Sequence, residues 1–171
     1  MVSLPAIRVR SDIERRRLAG IGEGTRSGSG VGRGIYSDAM TQKTYERLLQ
    51  AACSALESGM DVLLDASFLR RADRSRARRL AEDCRAAFLI VEAQASREVL
   101  VDRVTRRLRE GRDASEADSG VLDLQLASAE TLDETECTQA LRFDTSRETD
   151  PADFIDRVRA AIGRPLGDAK V

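Results

Sequence analysis

A short apolar run that ends in an acidic residue constrains the fold of this chain more than any other feature. The segment 60–68 reads MDVLLDASF, and its apolar part ends at Asp65. A helical pattern of apolar residues that ends at Gly59 precedes it, and an Arg-dense helical stretch, 70–85, follows it. A strand without polar alternation is typical of a parallel sheet that is covered on both faces. The pattern therefore predicts an α/β fold with a parallel sheet.

The rest of the chain continues this alternation of strands and helices. Apolar segments bounded by turn residues predict further strands, and amphipathic segments with capping residues predict helices between them. The order is β-α-β-α-β-α, a polar connector, then α-β-α, with strands at 5–10, 60–65, 86–92 and 140–144. This order favours one parallel sheet with helices on both faces, right-handed crossovers, and a site at the carboxyl ends of the strands.

Composition and charge exclude several classes of function. A length of 171 residues suits one domain. The 28 basic and 29 acidic residues nearly cancel, which argues against a nucleic-acid partner or an anionic membrane surface. The chain has no His, and its cysteines, Cys53, Cys84 and Cys137, are scattered, so no zinc site is expected. Without a signal peptide or a long apolar run, the sequence predicts a cytoplasmic protein with reduced thiols.

Three acidic residues fall where predicted strands end: Asp12, Asp65 and Asp144. A carboxylate after an apolar strand suits a ligand or Mg²⁺, and Asp65 has the pattern that holds Mg²⁺ in nucleotide enzymes. The alternative for Asp65 is a helix cap or a loop salt bridge. Asp12 can accept a proton from a substrate hydroxyl or orient it, or it can simply cap the next helix. Asp144 and Thr145 are interpreted as the end of a strand.

The arginines form two groups. One group leads into the polar connector and either clamps phosphoryl oxygens or forms a solvated helix face; its members are Arg103, Arg106, Arg107, Arg109 and Arg112. The second group lies in 70–79, and the absence of interleaved aromatic residues argues against nucleic-acid binding there. The Gly- and Ser-rich stretch 20–35 contains no Lys and is predicted to be a flexible surface loop.

Four segments taken together resemble a known family. They are RVRSDIERRRLAG (8–20), GIYSDAMTQKTYERLLQAA (34–52), GMDVLLDASFLRRADR (59–74) and RDASEADSGVLDLQLA (112–127). They are similar to the small P-loop kinase-like, ATP-binding domains of the AAA_33 type, relatives of gluconate kinase and zeta toxin. In some bacteria such a domain is fused to an aminoglycoside-phosphotransferase-like domain. The resemblance implies an adenylate-kinase-like P-loop NTPase (nucleoside-kinase-like) fold over 5–162 that uses ATP and Mg²⁺ to phosphorylate a small molecule.

The resemblance also implies roles for particular residues. Asp12 and Arg15 match the family's substrate motif after a strand, and Asp65 matches the carboxylate that ends its third strand and serves Mg²⁺. On the following helix, Arg74 is expected on the substrate side.

Two further groups are assigned by the same resemblance. The arginines of a lid-like connector, 106–118, close over the phosphates; they are Arg106, Arg107 and Arg112. The loop bordering the adenine contains Thr145 and Ser146.

One motif of the family has no match. The family begins with a strand, the loop GxxxxGK followed by Ser or Thr, and a helix, which together bind the triphosphate. Neither Lys43 nor Lys170 follows the required glycines, so we expect an incomplete domain that lacks its first strand and phosphate loop. That strand is central in the family's sheet, so its absence predicts a gap between two strands, weak ATP binding and no turnover. The missing segment is expected on another part of the protein, and the alternative is a non-catalytic remnant or partner-binding module completed by another chain.

Overall fold

A computed structural model describes residues 5–22, 25, 27–29, 34–111, 115, 118–146 and 150–163. Its helices and strands alternate along the chain as the sequence predicts. They are β1 (Ala6–Arg10), α1 (Ser11–Leu18), a 3-10 turn (Gly34–Tyr36), α2 (Asp38–Glu57), β2 (Asp61–Asp65), α3 (Arg71–Asp83), β3 (Ile90–Gln94), α4 (Arg97–Glu110), α5 (Ser119–Ser128), α6 (Glu134–Thr138), β4 (Ala140–Asp144) and α7 (Pro151–Ile162).

The strands form two separate parallel pairs. β1 pairs with β2, and β3 pairs with β4; within the described residues no strand joins β2 to β3. The α/β class with parallel strands is therefore confirmed. The pairing stops between β2 and β3, so the described residues contain a gap between two strands, as the absence of the family's central strand predicts.

A packed cluster of buried residues lies where α2 covers the first strand pair. Val9, Tyr45 and Leu48 are buried there, and Val62 and Leu64 pack against them. No residue of β2 or β3 is fully buried, and four of the five residues of β2 are half-buried. Within the described residues, each strand pairs with another strand along one edge only.

Capping residues explain where the helices begin and end. The hydroxyls of Ser37 and Ser96 accept backbone N–H bonds at the starts of α2 and α4. Gly111 and Gly163 end α4 and α7 in the left-handed conformation that glycine adopts without strain. By contrast, α1 begins at Ser11 without a side-chain cap, so neither Ser11 nor Asp12 is the N-cap residue.

Two details of the order differ from the sequence-based expectation. β3 begins at Ile90, four residues later than predicted, because the apolar residues before it follow the end of α3 in irregular backbone. The short helix α6 was not predicted; it begins at a capping box between Asp133 and Glu136.

Part of the Gly-rich stretch is tied to α1. The buried Arg16 donates to the carbonyl oxygens of Gly22 (2.5 Å) and Thr25 (2.6 Å). Residues 23, 24, 26 and 30–33 of the predicted flexible loop lie outside the described part of the chain, as do 112–114, 116 and 117 of the predicted connector.

Candidate functional site

The carboxyl ends of β1 and β2 lie side by side. Arg10, the last residue of β1, pairs in register with Asp65, the last residue of β2. Asp12 follows β1 by two positions, in the first turn of α1. The structure therefore brings Asp12 and Asp65, predicted from two distant segments, to the same edge of the strand pair.

Asp12 is held in one orientation by its neighbours. Its Oδ1 accepts bonds from Arg10 Nε (3.0 Å) and from the Ile13 N–H (2.8 Å), and its Oδ2 accepts one from Arg10 Nη2 (2.5 Å). The side chain is 20% exposed, so it is screened from bulk water but reachable. A fixed carboxylate of this kind is suited to orient a hydroxyl group or to accept its proton.

Asp65 is also paired with an arginine of β1. Nε (2.9 Å) and Nη2 of Arg8 both donate to Asp65 Oδ2, and neither of these bonds uses Oδ1. The Arg8 and Asp65 side chains are 57% and 41% exposed, so the pair contributes little to stability. The carboxylate is therefore accessible at the strand end, and an incoming cation can compete for it.

Arg15 lies in a half-buried position between α1, α2 and the 3-10 turn. Its Nη1 donates to the Ile35 carbonyl (2.9 Å) and to Thr41 Oγ1 (3.1 Å), and its guanidinium lies 5.4 Å from the centre of the Tyr36 ring. Burial lowers the pKa of Arg15, although the nearby tyrosines and Asp12 oppose that shift. The arginine remains a cation at neutral pH, fixed near the strand end that carries Asp12.

The loop after β2 is anchored by Tyr45. The Tyr45 hydroxyl accepts the Phe68 N–H at 3.0 Å and lies 3.5 Å from Ser67 Oγ, and the two aromatic rings pack edge to face. Phe68 adopts φ +44°, a left-handed conformation that costs energy for a residue other than glycine. Burial raises the pKa of Tyr45, so its hydroxyl stays neutral over the physiological range.

Arg74 lies in the interior of α3. Its Nε and Nη2 bond both oxygens of Glu136, at 2.7 and 3.0 Å, and the side chains are 5% and 8% exposed. The guanidinium also donates to four backbone carbonyls, those of Phe68, Leu69, Glu130 and Thr131. These bonds join α3 to the segment before α6, and contact with a substrate stays a prediction for Arg74.

The other predicted residues belong to the second strand pair. Arg106 is exposed and Arg107 half-buried in the last turns of α4, and Arg112 lies outside the described residues. Thr145 is engaged at the ends of β3 and β4: its N–H and hydroxyl both donate to the Gln94 carbonyl, at 2.8 and 2.9 Å.

Arg103 fixes this second strand end. Its Nη1 donates to Thr145 Oγ1 at 2.7 Å and its Nη2 to the Thr145 carbonyl. Beside it, Ser146 Oγ accepts the Ser96 N–H at 3.4 Å. The predicted contact of Thr145 and Ser146 with adenine is not tested by these bonds and stays a prediction.

Sequence reasoning missed the partners that orient the site. Arg8 and Arg10 alternate with the apolar residues of β1, which shows that they share a face, but their acidic partners depend on strand pairing. Tyr45 is one of only two tyrosines in the chain and lies on the apolar face of α2. This position was the sequence feature that could have indicated its contact with the loop after β2.

The side chains at the ends of β1 and β2 are better suited to hold Mg²⁺ than to bind a triphosphate. Mg²⁺ is commonly held by one or two carboxylates, with water and substrate phosphates completing the shell, and Asp65 fits as the single carboxylate. The described residues contain no group of three metal-binding side chains. The sequence has no GxxxxGK motif, which is the loop whose backbone N–H groups bind phosphates.

An open cleft of about 600 Å³ lies elsewhere, lined by Arg71, Ala129, Glu130 and Thr131. None of the predicted site residues lines it. Nor does any helix in the described part of the chain have the length and apolar character needed to span a membrane.

Comparison with known proteins decides the family. The sequence profile of AAA_33, described as an AAA domain, matches residues 1–132. The chain belongs to the AAA_33 family. It is 31% identical over 123 residues to uncharacterized proteins of Mycobacterium tuberculosis and Mycobacterium bovis, a match that covers 72% of this chain and 25% of each relative. The chain thus spans about a quarter of the length of these curated relatives.

Solved structures show the same fold. A protein assigned as a kinase from Chloroflexus aurantiacus has a TM-score of 0.66 at 20% identity, over 91% of this chain and 84% of that one. An unliganded sugar kinase from a Janibacter species has a TM-score of 0.61 at 16% identity, over 92% and 80%. The AAA_33 chain therefore has the α/β fold of these solved structures.

Proposed function

We propose that this AAA_33 domain is an ATP-binding, Mg²⁺-dependent kinase of a small molecule, and that the chain by itself binds ATP weakly. The observation that carries the proposal is the meeting of Asp12 and Asp65 at adjacent strand ends. Asp12 accepts the proton of the acceptor hydroxyl, and Arg15 binds the acceptor. When present, Mg²⁺ offsets phosphate charge beside Asp65.

The first test measures Mg²⁺-dependent nucleotide binding. Titration with a fluorescent ATP analogue is expected to give a dissociation constant of about 1 mM or weaker, because this chain lacks the phosphate loop. Binding is expected to be tighter with Mg²⁺ than with EDTA. Asp65→Asn should remove that difference, because the amide loses the charge that attracts the cation.

Asp61→Asn is the matched control, since Asp61 lies at the other end of the same strand. The control should still bind the nucleotide more tightly with Mg²⁺ than with EDTA. The kinase proposal fails if the unsubstituted chain shows no nucleotide binding with Mg²⁺, or if Asp65→Asn binds as well as the unsubstituted chain.

A second candidate function is a partner-binding module completed by a strand from another chain. The observation that favours it is the division into two strand pairs, with Leu63 of β2 and Val91 of β3 exposed at 42% and 39%. A strand with an unpaired edge can add a further strand through backbone hydrogen bonds.

This second candidate predicts self-association of the purified chain. Light scattering coupled to size-exclusion chromatography should show a dimer or larger species, and Leu63→Lys should shift it to monomer because a charge enters the strand contact. Leu18→Lys, at an equally exposed leucine of α1, should leave the association unchanged. A clean, folded monomer of the unsubstituted chain counts against strand completion.

A further inference from the structure

A pair of hydrogen bonds ties the loop after β2 to the segment after α5. The Glu130 N–H donates to the Leu69 carbonyl at 2.9 Å, and Glu130 Oε2 accepts the Arg71 N–H at 2.5 Å. Glu130 therefore bonds the chain on both sides of Arg70, once through its backbone and once through its carboxylate. These two bonds are called the Glu130 clasp below.

The clasp has a buried side and an exposed side. On the buried side lies Arg74, whose guanidinium donates to the Phe68 and Leu69 carbonyls at 3.0 and 3.2 Å. The same guanidinium donates to the Glu130 and Thr131 carbonyls at 3.2 and 3.3 Å. The Glu130 residue itself is exposed and borders the open cleft. Its carboxylate is therefore the part of the clasp that can be removed without disturbing the buried arginine.

The clasp connects two parts of the chain that strand pairing leaves separate. The loop follows β2, and within the described residues no strand joins β2 to β3. On the other side, the segment 129–131 follows α5, which is bonded to α4 from Arg97 to Asp123 at 2.8 Å. α4 is in turn bonded through Arg103 to the residue directly after β4. The clasp therefore fixes the end of β2, where Asp65 lies, relative to the second strand pair.

We propose that Glu130 is a positioning residue for Asp65, a role that rests on the proposed function of the Asp65 site. Phe68 and Leu69 follow Asp65 by three and four positions. The loop is held at the Phe68 N–H by Tyr45 and at the Leu69 carbonyl by Glu130, so the strand end keeps one position. When the clasp opens, the loop loses an attachment, and Asp65 spends less time in the position that holds Mg²⁺.

Hydrogen exchange in Glu130→Ala tests whether Glu130 holds the loop. The substitution removes the acceptor of the Arg71 N–H, but the backbone N–H at position 130 keeps its acceptor, the Leu69 carbonyl. If the clasp opens as a unit, exchange at the position-130 and Phe68 amides should nevertheless become about tenfold faster. The Thr145 amide, bonded within the second strand pair, should exchange at an unchanged rate.

Two further variants separate the clasp from a general effect of substitution. Glu130→Gln keeps a side-chain oxygen that can accept the Arg71 N–H, so it should restore slow exchange at position 130 and at Phe68. Glu134→Ala, at another exposed glutamate four positions along the chain, is the matched control and should leave both rates unchanged. The proposal is overturned if Glu130→Ala leaves these two amides unchanged, or if Glu130→Gln exchanges as fast as Glu130→Ala.

Binding of the fluorescent ATP analogue tests the action through Asp65. Glu130→Ala should lose most of the tightening that Mg²⁺ produces and keep its affinity in EDTA, because the clasp acts only on the residue that holds the cation. Glu130→Gln and Glu134→Ala should keep the tightening. Equal weakening with Mg²⁺ and with EDTA contradicts the positioning role. If the unsubstituted chain shows no Mg²⁺-dependent binding, the kinase proposal fails, and exchange at Phe68 still decides whether Glu130 holds the loop.

Discussion

Replacement of Arg74 by alanine is expected to lower the free energy of unfolding by about 3–5 kcal/mol, because it leaves a buried carboxylate without its partner. Both oxygens of Glu136 accept bonds from the Arg74 guanidinium, and the two side chains are 8% and 5% exposed. The substitution also removes the donor to four backbone carbonyls. These carbonyls lie in the segment before α3 and in the segment before α6. Chemical denaturation followed by circular dichroism measures the loss.

Arg79→Ala is the matched control, since Arg79 is exposed on the same helix. A surface substitution of this kind changes the free energy of unfolding by less than about 0.5 kcal/mol. Equal stability of the Arg74→Ala and Arg79→Ala chains would show that the buried pair does not hold α3 to the segment before α6.

The Arg74 pair also predicts how stability depends on pH. The bond from Arg74 lowers the pKa of Glu136 below its ordinary value of 4.5. A carboxyl group whose pKa is lower in the folded state stabilises that state fully above its ordinary pKa. Its contribution is lost as the pH falls from 4.5 through the lowered value. Glu136→Gln should therefore reduce the dependence of stability on pH in this acidic range.

Local patterns in the sequence predicted the elements that carry the site. Ser37 and Gly59 flank α2 in the sequence. The apolar run that ends at Asp65 predicted β2, because the residues that indicate this strand lie within a few positions of each other. The alternation of strands and helices was sufficient to predict parallel pairing. The order of elements predicted a site at the carboxyl ends of the strands, and the register of Arg10 with Asp65 brings Asp65 beside the end of β1 that precedes Asp12.

Contacts between distant segments could not be read from local patterns. Arg74 and Glu136 are separated by 62 positions, and Arg8 and Asp65 by 57. An arginine in an Arg-dense helix is equally consistent with a solvated face, and only the packing of α3 singles out Arg74. The extent of the sheet was also beyond local pattern, since strand order is a property of the whole fold.

The two arginines of β1 pair with the two carboxylates of the proposed site. Arg10 orients Asp12 through two bonds, whereas Arg8 occupies one oxygen of Asp65 in a solvent-exposed pair. Exposed pairs are worth at most about 1 kcal/mol, so separation of Asp65 from Arg8 would cost little, and Asp65 would then be available to hold a cation. The Arg10–Asp12 pair is partly buried and is therefore harder to separate than the Arg8–Asp65 pair. This difference suits Asp12, which must keep one orientation.

The loop that follows Asp65 depends on Tyr45, and Tyr45→Ala is expected to lower the free energy of unfolding by about 3–5 kcal/mol. Tyr45 is 5% exposed and packs with Val9 and Leu48 in the main buried cluster. Its removal leaves a cavity beneath β1 and β2 and also removes the acceptor for the Phe68 N–H. Thermal denaturation followed by circular dichroism measures this loss.

Tyr45→Phe separates the role of the hydroxyl from that of the ring. The ring keeps its packing, so the free energy of unfolding should fall by only about 1 kcal/mol. The Phe68 N–H loses its acceptor, and φ +44° then becomes harder to maintain, so hydrogen exchange at this amide should accelerate well beyond the change in global stability. Tyr36→Phe, a hydroxyl deletion at the ring beside Arg15, should leave exchange at Phe68 unchanged. Unchanged exchange in Tyr45→Phe would mean that packing alone positions the loop after Asp65, and that the hydroxyl has no part in presenting the carboxylate.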